Sequence, residues 1–79
     1  MNLNVRYFAV LRERRGLSDE AVETHLTTAR QLVNHLIVEH RLGLASHLVR
    51  VAVNGEFVED DFVLSEGQEI VLIPPVAGG

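Results

Sequence analysis

Apolar and polar positions alternate with a period of two at the start of the chain, Leu3, Val5, Tyr7 and Ala9 against Asn2, Asn4, Arg6 and Phe8. Successive side chains of extended backbone point to opposite faces, so this pattern predicts a strand from Asn2 to Leu11. Its first set should face a core, and Phe8 should face the other way. The pattern then breaks at Arg12-Glu13-Arg14-Arg15-Gly16, which reads as a charged hairpin turn. A weaker strand is predicted near Glu20 to Leu26, with Ala21, Val22 and Leu26 available to the core.

At Thr28 the period changes. Ala29, Leu32, Val33, Leu36, Ile37 and His40 recur at helical spacing. Thr28 and Gln31 form a capping box, and Gly43 is the expected C-cap. These signals predict a helix of about 14 residues whose apolar stripe must cover a sheet.

Beyond it, Val49 to Val53 reads as a strand, and Asn54-Gly55 is a two-residue hairpin signal that returns the chain through Glu56-Phe57-Val58. Phe57 is expected to join Phe8 on an exposed apolar patch. Glu59-Asp60-Asp61 reads as a solvated acidic loop, with room for a short helical turn from Asp60 to Leu64. Leu64 to Gln68 is a turn feeding a buried strand, Glu69 to Ile73. The whole chain, 1–79, is expected to be a single domain of α+β class, a mixed sheet of roughly four to five strands covered by one main helix.

Composition narrows what such a domain does. The net charge of −4 argues against nucleic acid, because phosphate binding needs a basic face. No apolar run approaches the roughly 20 residues of a membrane span, and no signal-peptide pattern is visible, so no membrane role and a cytoplasmic location are expected. There is no cysteine, which excludes a thiol nucleophile, a side-chain persulfide and thiolate metal ligation. All seven basic residues are arginine, so the sequence offers no lysine amine for isopeptide bonds.

Among the four histidines, His35 and Glu39 are one helical turn apart, while His25, His40 and His47 lack a partner at ligand spacing. No metal site is expected. No Ser/His/Asp set, carboxylate pair or phosphate loop appears, and Gly16, Gly43, Gly55 and Gly67 read as isolated turn glycines. An independent enzyme is not expected.

The remaining unusual feature is the C-terminal stretch. Pro74-Pro75 ends strand pairing at Ile73, because proline cannot donate to the ladder, and favours an extended, semi-stiff path. A flexible tail over 74–79 is expected, and six residues beyond Ile73 reach at most roughly 20 Å. Gly78 and Gly79 lack Cβ atoms, so they can thread a narrow channel and present an unhindered carboxylate.

The ending Ile73-Pro74-Pro75-Val76-Ala77-Gly78-Gly79, with Val5-Arg6-Tyr7-Phe8-Ala9 and Leu11-Arg12-Glu13, resembles the molybdopterin synthase small subunits (the MoaD family). These are ubiquitin-like sulfur carriers with the β-grasp fold. The resemblance implies that the first and last strands lie side by side in parallel. It implies that an E1-like enzyme, consuming ATP, adenylates Gly79, and that a thiocarboxylate then forms there. Pro74, Pro75, Val76, Ala77 and Gly78 would insert into the large subunit of a heterotetrameric synthase, and the sulfur would pass to a pterin precursor. This chain would bind no cofactor of its own.

The docking face implied by position includes Phe8, Phe57 and Ile73, although Ile73 reads equally well as a core residue. Arg12 is the arginine of the charged turn nearest the strand and joins that face. Family members commonly carry an acidic residue after Gly67, where this chain has Gln68. Other readings of the same features are a carrier for thiamine, cysteine or tRNA thiolation, a ubiquitin-like protein modifier, and a plain interaction module.

Overall fold

Leu3, Val5 and Tyr7 are buried and their neighbours exposed along strand β1 (Asn2–Tyr7). A computed structural model of the chain describes residues 1–75. The expectations for Val76, Ala77, Gly78 and Gly79 lie outside the described residues.

After β1 come helix α1 (Val10–Arg15), strand β2 (Asp19–Glu23) and helix α2 (Ala29–His40). A 3-10 turn (Ser46–Leu48) then leads into β3 (Arg50–Val53), β4 (Glu56–Val58) and β5 (Glu69–Ile73). Among the described residues the strands form one five-stranded sheet in the order β2-β1-β5-β3-β4. β1 and β5 run parallel in its middle, and the other neighbours are antiparallel.

Register explains the core. One row aligns Val5, Ile70 and Val53, and the next aligns Tyr7, Leu72, Val51 and Val58. Ala29, Leu32, Val33 and Leu36 of α2 pack onto these rows, and Leu42 and Leu64 close the ends. Helix α2 starts where its sequence says it should. The Thr28 hydroxyl accepts from Gln31 N–H, and the Gln31 carboxamide accepts from Thr28 N–H. Asn54 and Gly55 both have positive φ, 49° and 91°, as a tight hairpin requires.

Four expectations are corrected. First, β1 stops at Tyr7 rather than Leu11. Ala9 has φ 51° and ψ −127°, and the Leu11 N–H donates to the Phe8 carbonyl at 3.1 Å, so the chain reverses there and Ala9 is exposed. The charged run that reads as a turn is instead helix α1, with Leu11 buried beneath it. Gly16, at φ 82°, is its left-handed C-cap.

Second, β2 ends at Glu23, so Leu26 lies beyond it half-buried and Ala21 is exposed. Third, α2 runs for 12 residues, and Gly43 is not its cap. Arg41 takes that role at φ 52°, with Arg41 N–H donating to Val38 O and Leu42 N–H to Ile37 O. The burial of Leu42 holds this arginine in a conformation that glycine adopts more readily. Fourth, 60–64 forms no helix; it holds a turn and then a bridge between Val63 and Thr28.

Arg41→Gly should therefore stabilise the fold by about 0.5–1 kcal/mol, read as a higher urea midpoint at unchanged slope. A loss of stability would show that the Arg41 side chain contributes more than its backbone costs.

Candidate docking face and tail base

Strand parity sorts the remaining side chains onto the sheet face away from α2. Because Val5, Ile70, Val51 and Val53 point to the core, their neighbours point out. One row on this open face aligns Arg6, Val71, Ala52 and Phe57 across four strands. In the next, Arg50 pairs with Ile73. The Phe8 N–H donates to the Leu72 carbonyl at 3.2 Å, which extends the parallel ladder and sets Phe8 beside Ile73.

Phe8, Ile73 and Phe57 thus share one face, and the parity of Ile73, open in the sequence, falls on the open side. Phe8 is 47% and Phe57 56% exposed, while Val71 and Ile73 are half-buried. Arginines border this apolar strip. The Arg50 guanidinium lies over the Phe57 ring, 3.8 Å from its centroid. Arg6 approaches Glu69 at 4.0 Å with both side chains well exposed, which adds little to stability. Arg12 is exposed on α1, where its carbonyl accepts the Gly16 N–H. Among the described residues its side chain makes no hydrogen bond or ion pair.

The tail leaves from the edge of this strip. Ile73 is the last residue of β5, followed by a half-buried Pro74 and an exposed Pro75.

A polar anchor on the core side fixes where β1 ends and α1 begins. Tyr7, 1% exposed, donates from its hydroxyl to Glu20 Oε2 at 2.6 Å. Arg15 binds the same carboxylate through Nε and Nη2 at 2.7 and 2.8 Å, and His40 Nε2 lies 3.9 Å away. Burial, then the bond to Glu20, push the Tyr7 phenol pKa up, so it stays a neutral donor. The Arg15 contact is the main cause that holds the Glu20 carboxyl below its ordinary range. This anchor ties β1, β2, α1 and α2 together directly behind Phe8.

Sequence reasoning missed Arg6, Val71, Ala52 and Arg50 as members of the open face. The Asn54-Gly55 hairpin was the available signal, since its register pairs Ala52 with Phe57. Gln68 fills a plain structural role: its Oε1 accepts the Ser65 N–H at 2.8 Å, an acceptor that a carboxylate would also supply. His35 and Glu39 form an exposed contact at 3.6 Å. Among the described residues no three metal-ligating side chains converge, and no helix is long and apolar enough to cross a membrane.

A mixed sheet with parallel central strands, grasping one main helix and ending its last strand beside an open apolar face, defines a ubiquitin-like β-grasp protein of the sulfur-carrier fold. The ThiS family model matches residues 5–79, and the chain belongs to that family.

It is 31% identical to the molybdopterin synthase sulfur carrier subunit of Escherichia coli, over 98% of this chain and 99% of the relative. Among solved structures, a putative molybdopterin converting factor subunit 1 from Pyrococcus furiosus superposes with TM-score 0.79 at 28% identity. That match covers 96% of this chain and 99% of the other. SAMP1 from Haloferax volcanii gives TM-score 0.80 at 25% identity, with both chains fully covered.

Proposed function

We propose that this chain is the sulfur-carrying small subunit of a molybdopterin synthase, a cytoplasmic protein whose chemistry occurs at the Gly79 carboxylate. The observation that carries this reading is the juxtaposition of the open face, with its exposed Phe8 and Phe57 and half-buried Ile73, with the end of β5 at Ile73. A partner seated on that face receives the tail next to where it binds. The similarity to the E. coli carrier subunit points the same way.

A free carboxylate is a poor electrophile. In this mechanism an E1-like enzyme lets the Gly79 carboxylate attack the α-phosphorus of ATP, releasing pyrophosphate and forming an acyl-adenylate. A donor supplying sulfur at the sulfide level then displaces AMP and leaves a thiocarboxylate, a soft nucleophile ionised at neutral pH. With Pro74 to Gly78 threaded into the large subunit, that sulfur attacks a carbon of the pterin precursor and displaces an oxygen leaving group from it, giving a thioester. Water then cleaves the thioester, returning the Gly79 carboxylate and leaving the sulfur on the product as a thiolate. A dithiolene holds two sulfurs, so each product consumes two loaded carriers. The catalytic side chains belong to the partner, and Phe8, Arg12, Phe57 and Ile73 supply the docking contacts.

The test is co-purification of the tagged chain from its own cells. A molybdopterin synthase large subunit should be the dominant partner; a thiazole synthase or cysteine synthase in its place would overturn the pathway assigned here. Phe8→Ala should weaken that complex by about 1–2 kcal/mol, as expected for a central aromatic anchor, and change folding stability far less. Equal losses in binding and in stability would return Phe8 to the core.

The likeness to SAMP1 favours one other reading, a protein modifier sharing the same activation chemistry. Isopeptide-linked Gly79 on lysines of other proteins would establish it. The absence of lysine from residues 1–79 means that conjugates built through this sequence carry single copies rather than lysine-linked chains.

A further inference from the structure

Past Phe57, at the rim of the open face, the start of β3, the end of β4 and the first turn of α2 enclose a cleft of about 250 Å³. Its nitrogen-bearing side chains are Arg30, His47 and Arg50, and its carboxylates are Glu59 and Asp60. Such a gathering of arginine stands out on a chain whose net charge is −4.

The two guanidinium groups are differently committed. Arg30 donates from Nη2 to Asp60 Oδ1 at 2.6 Å, yet its Nη1 is buried and has no hydrogen-bond partner among the described residues. A buried donor of this kind demands an acceptor. The Arg50 guanidinium lies over the Phe57 ring, 3.8 Å from its centroid, and among the described residues it takes part in no ion pair. Its paired N–H groups match the two oxygens of a carboxylate or phosphate. His47 adds a ring nitrogen to the wall. Asp60 remains on the Nη2 side of Arg30, and Glu59 is exposed. The volume lies below the roughly 300–1,000 Å³ of sites that hold drug-sized ligands, so it suits one compact group rather than a nucleotide.

We propose that this cleft is an oxyanion site in which a carboxylate or phosphate group pairs with the N–H groups of Arg50, and the Arg30 guanidinium turns to bring its enclosed, unpartnered Nη1 onto the same group. It does not depend on the sulfur-carrier reading. The oxyanion has two available sources: an acidic side chain of a protein seated on the open face, which Phe57 and Arg50 join to the cleft, or a free phosphate.

The test uses the full chain and NMR, titrating acetate and inorganic phosphate separately, up to about 0.1 M, at constant ionic strength. Saturable shifts confined to the Arg30 and Arg50 side-chain N–H groups, His47 and the Phe57 ring are expected. Arg50→Gln, at an exposed position, should keep the folded spectrum and weaken the response about tenfold. A response to phosphate alone assigns the free anion, whereas a response to acetate assigns the partner carboxylate. Absence of saturation with both probes would overturn the site. So would shifts spread equally over Arg6 and Arg12, or a response untouched by Arg50→Gln.

Discussion

Removal of Gly79 should abolish sulfur loading and sulfur transfer completely while changing folding stability by no more than about 0.5 kcal/mol. The asymmetry follows from where the two properties reside. The buried core of the described residues ends at Leu72, with its last rows formed by Tyr7, Leu72, Val51 and Val58. The proposed chemistry, by contrast, needs a terminal carboxylate without a side chain beside it, and the absence of cysteine leaves no thiol to substitute. Thermal unfolding of the truncated chain, run beside a loading assay with the activating enzyme and ATP, reads both quantities. If loading and stability fall together, the deletion acts through the fold, and its effect says nothing about a carrier terminus.

The second large effect is on stability. Glu20→Ala should cost about 2–3 kcal/mol, because it leaves the buried Tyr7 hydroxyl without its acceptor and the Arg15 fork without its carboxylate. Tyr7→Phe should cost less, since Arg15 still pairs with Glu20. The double substitution should cost clearly less than the sum of the two. Additive losses in urea unfolding would mean that the two residues act separately.

The same anchor predicts a pH dependence. The Glu20 carboxyl titrates below its unfolded value in the folded chain, chiefly through Arg15. Its contribution is therefore complete above the unfolded glutamate pKa of about 4.3 and is lost as pH falls through the lowered folded value. Between these values the unfolded chain binds more protons, so stability falls on acidification. Glu20→Gln should flatten this part of the acid limb.

Local signals in the sequence were legible where one interaction decides the outcome. Thr28 and Gln31 mark the start of α2, Asn54-Gly55 marks the hairpin, and the alternation of Leu3, Val5 and Tyr7 marks the buried face of β1. Features settled by distant packing were not. Helix α1 is only six residues long, and what secures it is the burial of Leu11 and the Arg15–Glu20 contact rather than its own periodicity. Arg41 replaces the expected Gly43 as a cap because Leu42 must reach the core. The side of Ile73 depends on the parallel register with β1 and the pairing with Arg50, neither of which its neighbours in sequence determine. The candidate face was legible in its aromatic members, while Arg6, Val71, Ala52 and Arg50 emerged only once the rows were aligned.

The most direct test of a carrier whose chemistry sits at its last residue is the intact mass of the protein isolated from its own cells, with fragmentation to locate any change. A sulfur carrier of this kind should show a fraction in which one oxygen is exchanged for sulfur at Gly79, vanishing when the activating enzyme is deleted. A uniform carboxylate in cells actively making the dithiolene product, or sulfur located anywhere else in the chain, would contradict the proposed carrier role.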